Sequence, residues 1–356
     1  MLTPPNHELP WREFGKAATV LAALTCSFAD QSRTACAQES DVPRTVDPEH
    51  PKEWSLLIRT RWADIDVCLG QIQTTCIQSA QSRTATSGTP EKGVFENVTI
   101  AGDTDIPSVL YHAEDERKDI DIAVKNGNHV TMTQASHDPH IPPVSFRQLP
   151  EGNIQLQIGR GDALQKYSAT NIWHLLLREP EICQQHLLPL LDMLIADHHL
   201  MEDANQIEKG LWGKAGQPHI SREEMRRLVI QMGNEEYDVR KHATDQWDGM
   251  GLRALPFLES VNVQTLNRDQ SDSVLRVMRT IKERYRKNPD VGSQKDTVER
   301  ALLWLFEDPE VWSIFLQRAD PKQQAIALRE LQAMFPGNTE RELMRKFCLT
   351  GLHERR

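Results

Sequence analysis

The chain has 356 residues, of which 39% are hydrophobic and 26% charged, with a formal net charge of −10. This is ordinary globular composition at a length comfortable for two modules, which excludes collagenous, low-complexity and wholly disordered classes. The acidic balance excludes a general nucleic-acid binder, whose affinity comes from a basic surface neutralising phosphates, and no apolar run reaches the roughly 18 residues of a membrane span.

At the N-terminus, Ala17 to Phe28 form a mostly apolar stretch preceded by Arg12 and Lys16 and followed by Thr34-Ala35-Cys36-Ala37. That layout predicts a secretory signal peptide over 1–37, cleaved after Ala37. As a helix the stretch would be about 18 Å long, too short for the hydrocarbon core. Cys26, after Ala23-Leu24-Thr25, offers a lipoprotein signal as the alternative. Removal of 1–37 takes out Glu8, Glu13 and Asp30 with Arg12, Lys16 and Arg33, so the charge stays at −10 over 319 residues. The expected location is outside the cytoplasm, periplasmic or secreted, with no membrane span left after cleavage. Four cysteines then remain, Cys68, Cys76, Cys183 and Cys348, too sparse for a disulfide scaffold.

Residues 38–92 read as a polar linker followed by an amphipathic helix. Trp54, Leu57, Ile58, Ile65, Cys68, Leu69, Ile72 and Cys76 recur at spacings of three and four. On such a helix Cys68 and Cys76 stand about 12 Å apart, beyond disulfide reach. Ser79 to Lys92 is rich in Ser, Thr and Gly and is expected to be a loop.

From residue 93 to 166 the period changes to two, which predicts an antiparallel β domain. Val94 to Ile100 and Ser108 to His112 are expected strands. Ile120, Ile122 and Val124 alternate, Asn126-Gly127-Asn128 intervenes, and Val130 and Met132 alternate again. A three-residue loop pairs Val124 with Val130 and Ile122 with Met132, whereas a two-residue turn would turn Val130 to the wrong face. By the same reasoning Phe146 pairs with Leu156 and Val144 with Ile158 around Pro150-Glu151-Gly152, with Gly152 free to take positive φ.

Residues 167–356 are expected to be helical. Apolar faces run through Ile172/Leu175/Leu176, Leu187 to Leu194, Met225/Leu228/Val229/Met232, Leu275/Met278/Ile281/Tyr285 and Ala301/Leu302/Leu305/Phe306. The breaks are short: Gly216-Gln217-Pro218, Gly249, Asn288-Pro289 and Pro336-Gly337. Short connections between such helices mean stacked antiparallel neighbours. Val239-Arg240-x-x-Ala243-x-x-x-Trp247 aligns with Gln323-Gln324-x-x-Ala327-x-x-x-Leu331 at an offset of 84 residues, twice the period of a helical-pair repeat. An acid-bearing turn precedes each. Residues 220–335 resemble HEAT and armadillo-like repeats through Val239, Arg240 and Ala243, departing from the pattern at Asn234, at Trp247 and in the missing Val-Arg pair of the second unit. The resemblance implies a tight helix crossing at Ala243 and Ala327, with Arg240 beside the turn between helices. The order of a hairpin over 144–158, then Tyr167-Ser168-Ala169, then the Ile172 helix and Pro180-Glu181, resembles exported bacterial proteins of unknown function in which a small β meander runs into helices. The expected class is therefore α+β: signal peptide, small antiparallel meander, then a HEAT-like α-helical repeat domain.

Few constellations carry chemistry. His198 with Glu202, and His199 with Asp203, are four apart on an expected helix, the spacing that offers two metal ligands on one face. H-E-x-x-H is absent and no third ligand follows from the sequence. His137 and His140 sit in a Pro-bearing loop. No G-x-S-x-G, P-loop, C-x-x-C or strand-linked G-x-G-x-x-G appears, so no cofactor is expected. Arg276, Arg279, Lys282, Arg284, Arg286 and Lys287 set six bases against Glu283 alone in twelve residues. Such a stretch is either a solvated helix face or a docking site for an acidic partner, carried by Arg276, Arg279, Lys282 and Arg286. The leading expectation is a non-enzymatic exported scaffold that binds a protein partner. The rivals are a metal-dependent hydrolase built on His198, His199 and Glu202, and a structural envelope component.

Overall fold

The alternation of β-branched and polar residues folds as an eight-stranded antiparallel sheet in which every strand pairs with its neighbour in sequence. The computed structural model describes residues 55–76, 82–89, 94–101, 108–196, 198–286 and 294–348. The expected signal segment with Ala37, the linker over 38–52, Lys287 and Asn288-Pro289 lie outside the described residues. The same holds for the side chains of Cys76, Arg286 and Cys348.

The order is α1 (Leu56–Thr60), β1 (Ala63–Cys68), β2 (Gln71–Cys76), β3 (Arg83–Thr89), β4 (Val94–Ala101), β5 (Ser108–Asp115), β6 (Lys118–Lys125), β7 (His129–Ser136), β8 (Val144–Gln148), β9 (Ile154–Ile158) and β10 (Gln165–Ala169). Helices follow: α2 (Ile172–Arg178), α3 (Pro180–Ile182), a π turn (Cys183–Leu187), α4 (Leu188–Leu191), α5 (Leu200–Lys214), α6 (Arg222–Gln231), α7 (Tyr237–Met250), α8 (Leu255–Ser260), α9 (Arg268–Arg286), α10 (Gln294–Leu305), α11 (Pro309–Arg318), α12 (Pro321–Met334) and α13 (Glu340–Cys348). The chain is mixed α+β: after the short α1 come the strands, and then the remaining helices.

Both expected registers are found: Val124 faces Val130 and Ile122 faces Met132, while Phe146 faces Leu156 and Val144 faces Ile158. Gly152 has φ +96°. One lateral row, Val98, Tyr111, Ile122, Met132, Phe146 and Leu156, is buried on the inner face. The opposite face carries Thr99, Asp121, Thr133 and Gln157 and faces solvent, as an antiparallel sheet with one packed face should. The buried residues of sheet and helices form one core.

The helix expected from Trp54 onward is replaced by the short α1 and a two-stranded hairpin, β1 with β2. Ile65, Val67, Ile72 and Thr74 alternate inward about a turn at Leu69-Gly70, both with positive φ. β-branched residues about a glycine favour that geometry over a helix, and the three-four spacing across the turn is coincidental. Cys68 pairs with Gln71 beside the turn and Cys76 with Ala63 at the other end, so the two cysteines are held apart by hairpin register. The loop expected over Ser79 to Lys92 contains edge strand β3. Thr84 Oγ1 meets Thr99 Oγ1 at 3.1 Å, and Asn97 Nδ2 donates to Thr86 Oγ1 at 3.0 Å. Residues 167–169, expected to open the helical part, instead end the sheet in β10, and Gly249 lies inside α7, the chain turning instead at Gly251, φ +56°.

A polar residue joins the hairpin to the sheet. Gln148 stands in an otherwise apolar row, between Val130 and Ile154, and is fully buried. Its Oε1 accepts from Ile72 N at 2.8 Å, and its Nε2 donates to Ile72 O at 2.8 Å and Asn128 O at 2.7 Å. The amide thus acts as a strand backbone would toward β2.

Among the helices, α2 packs on α5 and α11, and α5 packs on α10. α11 pairs with α12, and α13 lies against both. α6 packs on α7, and α9 on α7 and α8.

Candidate functional site

Helix α9 positions the expected basic face. Asn267 caps it reciprocally: Gln270 N donates to Asn267 Oδ1 at 2.9 Å and Asn267 N to Gln270 Oε1 at 3.2 Å. The stripe fixed in the core is Val274, Val277 and Ile281, flanked by half-buried Met278 and Tyr285. Leu275, expected on that stripe, is 44% exposed; the buried face is rotated by one residue because the two valines are the packing contacts. Arg276 and Arg279 face solvent as expected. Lys282 does not stand free with them: its Nζ lies 2.6 Å from Glu259 Oε1 on α8. Arg284 likewise pairs with Asp248 at 3.4 Å. The outward face is therefore narrower than the charge count suggested.

The histidine-acid pairs expected at one metal site are not brought together. α5 begins at Leu200, so His198 and His199 precede the helix that was to project them. His198 Nε2 lies 2.9 Å from Asp192 Oδ1, His199 and Glu202 are exposed, and Asp203 is buried. Among the described residues no group of three His, Cys, Asp or Glu is arranged to hold a metal ion. His137 turns toward β6, with Nε2 3.1 Å from Asp119 Oδ1, and contact with the Glu116 carbonyl and then Asp119 raises its pKa. The His140 backbone N–H instead donates to Asp138 at 2.8 Å.

Two buried histidine clamps escaped the sequence reading, and both close on Glu307-Asp308-Pro309-Glu310, where α10 gives way to the first turn of α11. Asp308 caps α11, accepting from Glu310 N at 2.9 Å, and Pro309 takes the first helical position. His174, fully buried on α2, has Nε2 2.9 Å from Asp308 Oδ2 and Nδ1 3.3 Å from Glu310 Oε2. Arg178 donates to Glu310 Oε1 at 2.9 Å, and the Thr170 hydroxyl reaches Glu310 Oε2. Burial works against a charge on His174, but Glu310 and Asp308 outweigh it and push its pKa up to about 10. Glu310 is also opposed by burial, yet His174, Thr170 and Arg178 hold it far below the ordinary carboxylate range.

The second clamp closes on the other side of this segment. His219 stacks on Phe306, with ring centroids 4.4 Å apart. Its Nδ1 lies 3.2 Å from Glu307 Oε2 and its Nε2 2.9 Å from Glu330 Oε2. Glu330 also accepts from Gly216 N at 2.8 Å, and Arg253 Nε donates to Glu307 at 3.0 Å. Burial of Glu307 is outweighed by His219 and Arg253, so its pKa is lowered. Arg222 spreads over the Phe335 ring at 4.5 Å and donates to the Glu307 carbonyl at 3.4 Å. A signal for both clamps was present: three carboxylates between Trp304-Leu305-Phe306 and Val311-Trp312, and one histidine inside Ile172 to Leu177. Ionisable groups inside apolar runs are buried and must find partners.

The residues on which the repeat resemblance rested are placed as follows. Ala243 and Ala327 are fully buried, and Arg240 Nη1 donates to Asn234 O and Glu235 O, both at 2.7 Å, across the turn before α7.

No family model, no curated protein and no solved structure matches the chain.

Proposed function

We propose that this protein is a non-enzymatic, exported interaction protein whose helical part docks an acidic protein partner through α9. The observation that carries the reading is the pair Arg276 and Arg279, exposed on a helix whose opposite stripe is fixed in the core. A cation pair on a rigid helix keeps its geometry for a partner, and its attraction is strongest at low ionic strength. The buried titratable groups support the same reading. His174, His219, Glu307, Glu310 and Glu330 are closed against one another and against Arg178 and Arg253, an arrangement that ties helices together. The HEAT-like reading of 220–335 remains part of the proposal, supported by Ala243, Ala327 and Arg240. Export remains part of it on the layout of residues 12–37.

The test is capture from the envelope fraction with the wild-type protein and with a double Arg276→Glu, Arg279→Glu variant. The reading expects a stoichiometric partner retained by wild type, lost by the variant and weakened by salt. Identical capture by both proteins would refute the α9 assignment. Mass spectrometry of the N-terminus of natively expressed protein tests export, and a mature chain retaining Met1 would sink it.

A further inference from the structure

The outer face of the sheet holds a groove of about 240 Å³, crossing β7, β8 and β9 beside the loop that follows β9. Three polar side chains stand abreast in it, because Thr133 pairs with Ser145 and Ser145 with Gln157. Among the described residues none of these two hydroxyls and one amide is hydrogen-bonded to a neighbour, so all three are free for a ligand. Arg160 lines the same groove from the loop. Its backbone is pinned there: Gly159 N donates to Pro143 O at 2.9 Å, and Ala163 N donates to Arg160 O at 3.2 Å. Gly159 has φ +93°, and a Cβ on it would meet Ala163 O at 2.6 Å, so the loop closes this tightly only around glycine.

The charges on this part of the face are positive and unspent. Arg147 and Lys166 are exposed on it, opposite Gln155 and Gln157. Among the described residues none of Arg147, Arg160 and Lys166 is paired with an acid. The carboxylates of β6 that lie next in register are already held: Asp121, opposite Thr133, by His112 at 2.8 Å, and Asp119, opposite Ala135, by His137 at 3.1 Å. No acid and no aromatic ring lines the groove itself. A row of hydroxyl and amide groups exchanges hydrogen bonds with a polyhydroxylated ring, and a guanidinium takes a carboxylate or phosphate through two parallel bonds. The volume falls below the roughly 300–1,000 Å³ of drug-sized pockets, which suits one ring rather than a chain.

We propose that this groove binds a small anionic sugar, with Thr133, Ser145 and Gln157 on its hydroxyls and Arg160 on its carboxylate or phosphate. The groove lies on the sheet and does not rest on the docking of a partner by α9. Calorimetric titration of the purified protein tests it, with glucuronate and glucose 6-phosphate as ligands and glucose, acetate and inorganic phosphate as comparisons. Expected is saturable binding of at least one anionic sugar, at least about tenfold tighter than that of glucose or of the bare anion, and the tighter of the two sugars identifies the acid. Arg160→Gln and Ser145→Ala should each weaken that binding at least about fivefold with melting temperature unchanged, whereas Lys209→Gln, an exposed cation on α5, should not. No binding of either anionic sugar at about 10 mM would overturn the proposal. So would bare anions that bind as tightly as the sugars, or binding that Arg160→Gln and Ser145→Ala leave intact.

Discussion

Nε2 of His174 lies 2.9 Å from Oδ2 of Asp308, which joins the first helix after the sheet to the cap of α11 in the C-terminal half of the chain. Removing one member of a buried pair strands the other, which typically costs about 3–5 kcal/mol. His174→Ala is therefore predicted to destabilise the protein by about that amount in urea titration. A loss under about 1 kcal/mol would show that the clamp is incidental to stability.

The same histidine sets a dependence on pH. Its folded pKa, about 10, lies above the ordinary value of 6.5, so the folded state binds the extra proton. The resulting stabilisation is complete below pH 6.5 and is lost as pH rises toward 10. Cys183, pushed up to about 12 mainly by burial, adds a loss of the same sign above its ordinary value of 9.0. The informative window is thus pH 6.5 to 9.0, where wild-type stability should fall and that of His174→Leu should stay nearly flat. Parallel slopes in the two proteins would refute the assignment.

On the acid side the sign reverses. Glu307 and Glu310 are both held below the ordinary value of 4.5, so their contribution is present above it and lost as pH falls below it. Glu310→Gln should flatten this acid limb in thermal melts between about pH 5 and 3.

Gln148 offers a test inside the sheet. Gln148→Leu keeps the volume but leaves Ile72 N–H, Ile72 C=O and Asn128 C=O without this partner. Each unsatisfied buried group costs about 1–3 kcal/mol, so a loss of at least about 2 kcal/mol is predicted by denaturant unfolding. A neutral effect would mean that water takes over those bonds.

Ala243→Leu should overpack the crossing of α7, where Ala243 is fully buried, and cost about 1–3 kcal/mol. Arg276→Glu and Arg279→Glu, both exposed, should stay within about 0.5 kcal/mol of wild type. Melting curves of the three variants decide the matter, and the reverse ranking would mean that buried and exposed faces have been exchanged.

What was legible in the sequence was local. The pairings of Val124 with Val130 and Phe146 with Leu156 follow from period two and loop length, because a one-residue slip turns every side chain over. The place of Arg240 beside the turn carbonyls was what the repeat resemblance implied. The first hairpin was hidden because spacings of three and four arise by accident across the turn at Leu69-Gly70, and the β-branched content of Ile65 to Thr75 was the better guide. The clamps were hidden for a different reason. Their partners, His174 and Asp308, or His219 and Glu330, are far apart in sequence, and no period within one segment reports a pairing between segments. For α9, charge density overstated the free face because Lys282 and Arg284 are spent on Glu259 and Asp248.

The strand order of the sheet has a consequence for how the molecule is made. Each strand after β3 closes on the one just synthesised, so the sheet can zip up as the chain emerges, with little entropy lost at any step. Helices α2 and α5 close less completely on what precedes them. They can pack on each other, but their larger partners α11 and α10 begin at Pro309 and Gln294, so part of the surface they bury stays uncovered until those helices are made. A growing chain of this protein therefore passes through a stage with a finished sheet and sticky, half-packed helices, the state that chaperones recognise and in which aggregation begins.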